Sequence, residues 1–466
     1  MMAREADPFL AGVIEGFYGP PWSPAERVEL FDWMAKWGLN TYLYAPKDDL
    51  KHRTLWRELY SPEELTALGR CLAAANQRGL RFIYAIGPGL DIRYSRETDL
   101  DHLRARFEQM MQIGCRHFAL LFDDIPDRME TADAKRWGSF AAAQCHLVNA
   151  MWRWTRERVP KARFLFCPTP YCGRMAVRQL GGAGYLATVG KELEPDIDVF
   201  WTGPEIISNE IEPGHVREVA AILRRKPVIW DNLHANDYDG RRFYCGPYSG
   251  RPPELRHEVA GILSNPNTEF PLNYVPLRTL ATFLQSPSAW TAREAYLSAM
   301  QEWLAHFAVV GQPVTLEDLV LFGDCYYLPC GEGPEAAALC ARAQRLVTLP
   351  PQQWGEDGRT FQQQATRLRD FCGHLAGLRD RALFQALHRR AWELREELDL
   401  LLSYVRSRQA DPRAPFCSDF HLPGTYRGGM VARLQRLLTQ RPDGTFVPGT
   451  GTSERQAAGG PITTLP

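Results

Sequence analysis

Long hydrophobic runs are missing from this chain. None approaches the roughly 18 uninterrupted apolar residues of a membrane helix, so no span is expected. An excess of one charge is missing too. Lys and Arg number 54, Asp and Glu 55, giving a formal net charge of −1. That balance argues against nucleic-acid binding, which draws on a net positive face. The N-terminal "MMAREADPFLAG" carries acidic residues and no apolar stretch, so it does not read as a signal peptide. No G-x-G-x-x-G follows the first apolar strand, which disfavours a dinucleotide fold. Cysteine is present 11 times, an odd count. The C-x4-C pairs Cys167/Cys172 and Cys325/Cys330 have no His-rich companion, so neither a zinc site nor a disulfide framework is expected. Reduced thiols in a cytosolic or nuclear setting are the plainer reading.

What is present is a repeating unit. The 466 residues are 45% hydrophobic and 23% charged, as in ordinary globular proteins, and suggest two or three domains. From residue 12 to about 275, short apolar strands alternate with amphipathic stretches. We read strands in "GVIEGFYG", "NTYLYAP", "RFIYAIGP", "HFALLFDD", "RFLFCPT", "DIDVFWTG", "KPVIWDN" and "EFPLNYV". "SPAERVELFDWMAKWG" and "SPEELTALGRCLAAANQRG" each open on a Ser-Pro cap and close on Gly, the marks of a bounded helix. Eight alternations over this length predict a (β/α)8 TIM barrel over 11–286, after an N-terminal arm 1–10. Beyond it the pattern is helical only. Apolar positions in 361–405 recur every three or four residues, which predicts a long amphipathic helix in an α-helical bundle. We expect a stalk or dimerisation domain over 287–439, with "GGMVARLQRLL" as a late helix. Residues 440–466, rich in Gly, Pro, Ser and Thr, are expected to form a disordered tail.

Barrel chemistry sits at the C-terminal ends of the strands. Polar and aromatic residues gather there: Glu15 to Tyr18, Lys47 to Asp49, Tyr171, Trp201, Trp230 to Asn232 and Asn273. Most pointed is "FALLFDDIPD", where a buried strand runs into adjacent Asp123 and Asp124. Strand neighbours face opposite ways, so the two converge only if the strand ends between them, and Pro126 favours such an ending. Neighbouring carboxylates do not readily ionise together, which leaves one acceptor and one acid near neutrality. That suits glycoside hydrolysis. A divalent-metal site and a helix cap stay open as rival readings of the dipeptide alone.

In order along the chain, "GVIEGFYGPPW", "YLYAPKDD", "FALLFDDI", "FLFCPTPYCG", "WTGPEI", "PVIWDNLHANDYD" and "LNYV" resemble the protein O-GlcNAcases of glycoside hydrolase family 84, the animal type most closely. The likeness continues into the helical region. It implies a retaining β-N-acetylglucosaminidase acting on O-linked GlcNAc of intracellular proteins, with no metal or cofactor. The substrate's own acetamido oxygen would attack, forming an oxazoline. Asp123 would stabilise the charge on that group, and Asp124 would serve as general acid, then base. Tyr171 would position the acetamide and Trp230 wall its methyl pocket. Gly16, Lys47, Asn232, Asp237 and Asn273 would hold sugar hydroxyls, with Tyr18 lining the pocket. The resemblance also implies a homodimer that exchanges the late helix, and a cytoplasmic or nuclear location.

The rivals are hydrolysis of free or hyaluronan-type glycans, a silent GlcNAc-binding module, and a metal-dependent hydrolase. Blander readings of single residues stay open at this stage. Gly16 can serve only a tight turn, Lys47 can pair with Asp48 or Asp49, and Tyr171 and Trp230 can be packing. His234 reads as structural. Pro126 stands where the animal enzymes lead us to expect an acidic residue. The chain lacks their long insertion and acetyltransferase-like domain, so no acetyltransferase activity is expected.

Overall fold

A computed structural model describes residues 9–286, 290–418, 425 and 427–449. Eight parallel strands close into a barrel: β1 (Leu10–Glu15), β2 (Thr41–Tyr44), β3 (Arg81–Ile86), β4 (His117–Leu121), β5 (Phe164–Cys167), β6 (Ile197–Trp201), β7 (Val228–Asp231) and β8 (Gly261–Ser264). Alternate residues of each strand, such as Ile14, Leu43, Ala85, Leu121, Leu165 and Leu263, meet in one apolar cluster that fills the inside. Tyr171 and Trp230 belong to the same cluster, so the candidate site sits on the core.

Seven expected strands are present. The eighth was misplaced: "EFPLNYV" forms a 3-10 turn, Phe270–Asn273, and then helix Tyr274–Gln285. Pro271 in that stretch cannot donate to a ladder, so a central strand is excluded there. The true β8 is the four-residue "GILS", which closes the barrel against β1. Gly261 makes the seam possible, because a β-carbon there would lie 2.5 Å from Leu10 Cβ.

The two Ser-Pro helices, Pro24–Lys36 and Pro62–Gln77, both carry full capping boxes through Ser23/Glu26 and Ser61/Glu64. Each is followed by a left-handed glycine, Gly38 and Gly79.

The described residues divide into two compact units, one of those up to 303 with 327–330, the other of 304–326 with those from 331 onward. The expected boundary at 287 is therefore too early. Helix Ala292–Trp303 buries Tyr296, Met300 and Trp303 and belongs to the barrel unit, tied to it by Arg278–Glu302. In the second unit the expected single helix over 361–405 is two, Gly355–His374 and Arg381–Ala410. Asp380 caps the second through Leu383 N, and the buried Leu375 and Leu378 carry the apolar rhythm across the break. The late helix is Gly429–Gln435. The tail was placed too early, because Leu438–Gln440 and Phe446–Pro448 pair as an antiparallel hairpin. Its turn, at Asp443 and Gly444 (φ +84°), is the Asp-Gly signal passed over in "RPDGTF". Residues 450–466 and 1–8 of the expected tail and arm lie outside the described residues.

Candidate active site

Most rim carboxylates are consumed by the scaffold. Glu15, fully buried, accepts from Arg27 at 2.7 and 2.8 Å and from Tyr42. Asp231 is held by Arg251 at 2.7 and 2.8 Å and by Tyr248 at 2.7 Å. Asp49 accepts from Tyr44 and Tyr60 at 2.8 and 2.6 Å. Asp123, Asp124 and Asp237 are tied instead to Lys47 and Tyr18.

β4 ends at Leu121, two residues before the acidic pair rather than between its members. The convergence comes from Asp124 itself, whose φ is +50°. Such left-handed backbone costs an L-residue about 1–2 kcal/mol, least for Asp and Asn. It breaks the alternation that would otherwise send the two side chains to opposite faces.

The pair meets contrasting surroundings. Asp123, 9% exposed, receives the Lys47 ammonium at 2.5 Å. Burial works against its charge, but Lys47 and Arg53 outweigh burial and hold the carboxyl below the usual carboxylate range. Lys47 therefore pairs with Asp123, not with Asp48 or Asp49. Asp124 is exposed and takes its bonds from phenols, Tyr171 at 2.9 Å on Oδ1 and Tyr18 at 3.1 Å on Oδ2. Burial, then the Asp124 charge, pushes both phenols up, so they remain donors.

Around the dyad stand the other expected residues. Trp230, 6% exposed, lies with its ring 5.8 Å from Lys47 Nζ. Gly16 is required by that indole: a β-carbon there would approach Trp230 Cζ2 to 2.6 Å. Its role is close approach, since its φ is not in the left-handed range that a tight turn would use. Asp237 accepts from Tyr18 N at 2.9 Å, and burial raises its carboxyl. Asn232 donates to Ile206 O and accepts from Asn265 at 3.0 Å. Asn273 is not brought to the mouth with a free group. It is fully buried, and its amide serves Asn267 and the Glu269 carbonyl. His234 is buried against the Gly246 carbonyl, outside the site.

Three residues went unread in the sequence. Asn265 follows β8 directly, and its Oδ1 is buried with no partner among the described residues. Reading "GILS" as the strand would have flagged it as a rim residue. His52 is fully buried; its Nδ1 donates to Ala85 O at 2.8 Å, and burial, then Lys47, lowers its pKa to about 4, so the ring is neutral. Arg53, 8% exposed, donates to the Asp124 carbonyl at 2.6 Å. No group of metal-ligating side chains occurs among the described residues.

A carboxylate pair on the C-terminal rim of an eightfold barrel, one member ion-paired and one bonded to phenols, is an arrangement suited to acid–base work on a glycosidic bond. Comparison with known proteins gives the narrower placement. The chain belongs to the β-N-acetylglucosaminidase (NAGidase) family, whose model matches residues 11–317. Protein O-GlcNAcase of Rattus norvegicus and that of Mus musculus are each 51% identical to it over 278 residues, 60% of this chain. The chain spans only 30% of the length of these relatives. Among solved structures, a mutant O-GlcNAc hydrolase of Thermobaculum terrenum superposes with a TM-score of 0.76 at 28% identity, covering 86% of this chain and 84% of that one.

Proposed function

We propose that the protein is a retaining glycoside hydrolase that removes β-linked N-acetylglucosamine from Ser and Thr of intracellular proteins, with the sugar's acetamido oxygen as nucleophile. The observation that carries this reading is the split environment of the dyad. Asp123, kept ionised by Lys47, suits the partner of the acetamido N–H and of the positive charge that grows as the oxazoline forms. A tethered nucleophile reaches an effective molarity of about 10⁵–10⁸ M in well-oriented cases, so no protein nucleophile is needed. Asp124, exposed at the mouth, protonates the leaving oxygen and then activates water. Two phenolic hydrogen bonds, from Tyr171 and Tyr18, hold its carboxyl in place. An acetamide that claims the Tyr171 hydroxyl removes one of them as the sugar enters. Trp230 walls the acyl methyl, while Asn232, Asp237 and the unpartnered Asn265 Oδ1 meet hydroxyls.

The same reading includes a homodimer through the helical unit and a cytoplasmic or nuclear location. All 11 cysteines being free supports the latter, and no helix among the described residues is long and apolar enough to cross a membrane. The dimer is checked by light scattering across a dilution series, which should show mass falling as protein is diluted.

The decisive assay compares an aryl β-N-acetylglucosaminide with its N-trifluoroacetyl analogue. Electron withdrawal from the attacking oxygen should slow turnover steeply, and an unchanged rate rules out the neighbouring-group step. Asp124→Asn should lose far more rate on poor leaving groups than on activated ones.

A further inference from the structure

Arg53 lies in the segment between β2 and β3, away from every motif that carried the functional reading, yet it touches the dyad's backbone. Its guanidinium donates 2.6 Å to the carbonyl of Asp124, the residue with φ +50°. It also stands 5.8 Å from the centroid of Tyr18, whose hydroxyl bonds the same aspartate. The arginine is itself fixed. Its neighbour His52 donates to Ala85 O at 2.8 Å and accepts from Gly87 N at 2.9 Å, splinting the segment to the end of β3.

On the other side of Asp124, Ile125 packs on Gly89, where a β-carbon would fall 2.2 Å from Ile125 Cγ2. Pro126 restricts Ile125 further. The peptide plane after Asp124 is thus gripped from both sides. Released from the arginine, Asp124 loses the one hydrogen bond that an arginine side chain makes to its carbonyl, and the left-handed backbone is held less firmly. Relaxation to an extended one swings its side chain toward the opposite face and away from Tyr18 and Tyr171.

We propose that Arg53 is a positioning residue for proton transfer: by bonding the Asp124 carbonyl it holds the left-handed turn that aims the Asp124 carboxyl at the leaving oxygen. This rests on the reading of Asp124 as the acid. Arg53 also adds positive charge beside Asp123, so its removal should move the acid limb of the rate profile to higher pH.

The test uses the full chain with two aryl β-N-acetylglucosaminides, a dinitrophenyl and a methoxyphenyl. Arg53→Ala should lose about 10²-fold on the methoxyphenyl glycoside, within the range of general-acid assistance, and under about tenfold on the dinitrophenyl one. Arg53→Lys, which keeps charge and a donor without the fork, should restore the acid limb and recover part of the selective loss. Equal loss on both substrates, or an unmoved pH profile, overturns the proposal.

A wild-type chain idle on both glycosides would instead defeat the functional reading, and the backbone claim would then be judged on a crystal structure of Arg53→Ala. Asp124 at negative φ there supports it. Asp124 still left-handed and bonded to both tyrosines sinks it. Should the alanine variant not fold, Arg53→Lys carries the same comparison, with a smaller leaving-group selectivity expected and none overturning the claim.

Discussion

Two buried carboxylates meet a cation in this protein and end in opposite states. In the barrel, Asp123 is held below the usual range because Lys47 at 2.5 Å and the nearby Arg53 outweigh its burial. In the helical unit, Glu397 is fully buried, and burial lifts its carboxyl to about 7 although Arg427 lies 3.3 Å away. The difference is stoichiometry. Arg427 is divided among Glu393 at 3.7 Å, Glu396 and Glu397, and Glu397 Oε2 has no partner among the described residues. Glu393 also feels Arg389 and Arg390, but Glu397 depends on its share of one guanidinium, whereas Lys47 and Arg53 both act on Asp123. The barrel site is built to keep a charge and the helical cluster to give one up.

The comparison can be broken at four points. Asp123→Asn removes the kept charge and should cost roughly 10³ in rate on activated and poor leaving groups alike, measured with aryl glycosides. Retained activity would show that the charge does not matter to the chemistry. Arg427→Met takes the bonded cation from buried Glu397 and should destabilise the helical unit by about 3 kcal/mol, read by urea unfolding at neutral pH.

Lys47→Met removes the larger of the two positive charges that oppose burial. Asp123 should then hold its proton to higher pH, so the acid limb of the rate profile moves upward and the rate at neutrality falls about tenfold. The sign is fixed: a depressed carboxyl loses its advantage as pH falls, and raising that carboxyl brings the loss on sooner.

Glu397 has the reverse sign. Its raised carboxyl contributes stability that is complete below its ordinary value of 4.5 and disappears as pH rises through about 7. Hydrogen exchange over 381–410 in the full chain should therefore show protection dropping by roughly 2 kcal/mol from acid to mildly alkaline pH. Glu397→Gln should flatten that dependence.

Much of the barrel could be read from residues because parallel strands buried on both sides appear as unbroken apolar runs. "FALLF" and "RFIYAI" show themselves this way. "GILS" did not, being four residues long and opening on a glycine whose value lies in a neighbour, Leu10, some 250 positions away. Losing β8 also cost Asn265, which follows it directly. The dyad was legible from its oddity, and Pro126 pointed to a turn. That the turn is a left-handed residue clamped by Arg53 was out of reach, because a side chain bonding a distant carbonyl leaves no periodic trace. In the helical unit, periodicity ran straight through the break near Leu375, since its leucines are buried on both sides of it.

The unusual backbone at Asp124 bears on how a dead enzyme should be made. Asparagine tolerates that dihedral nearly as well as aspartate, keeps a carbonyl acceptor for one of the two tyrosines and turns an NH2 donor toward the hydroxyl oxygen of the other. Alanine does neither, so its inactivity would mix a missing proton donor with a collapsed loop. Under the proposed function, the amide is the substitution to choose for a variant that binds substrate without turning it over.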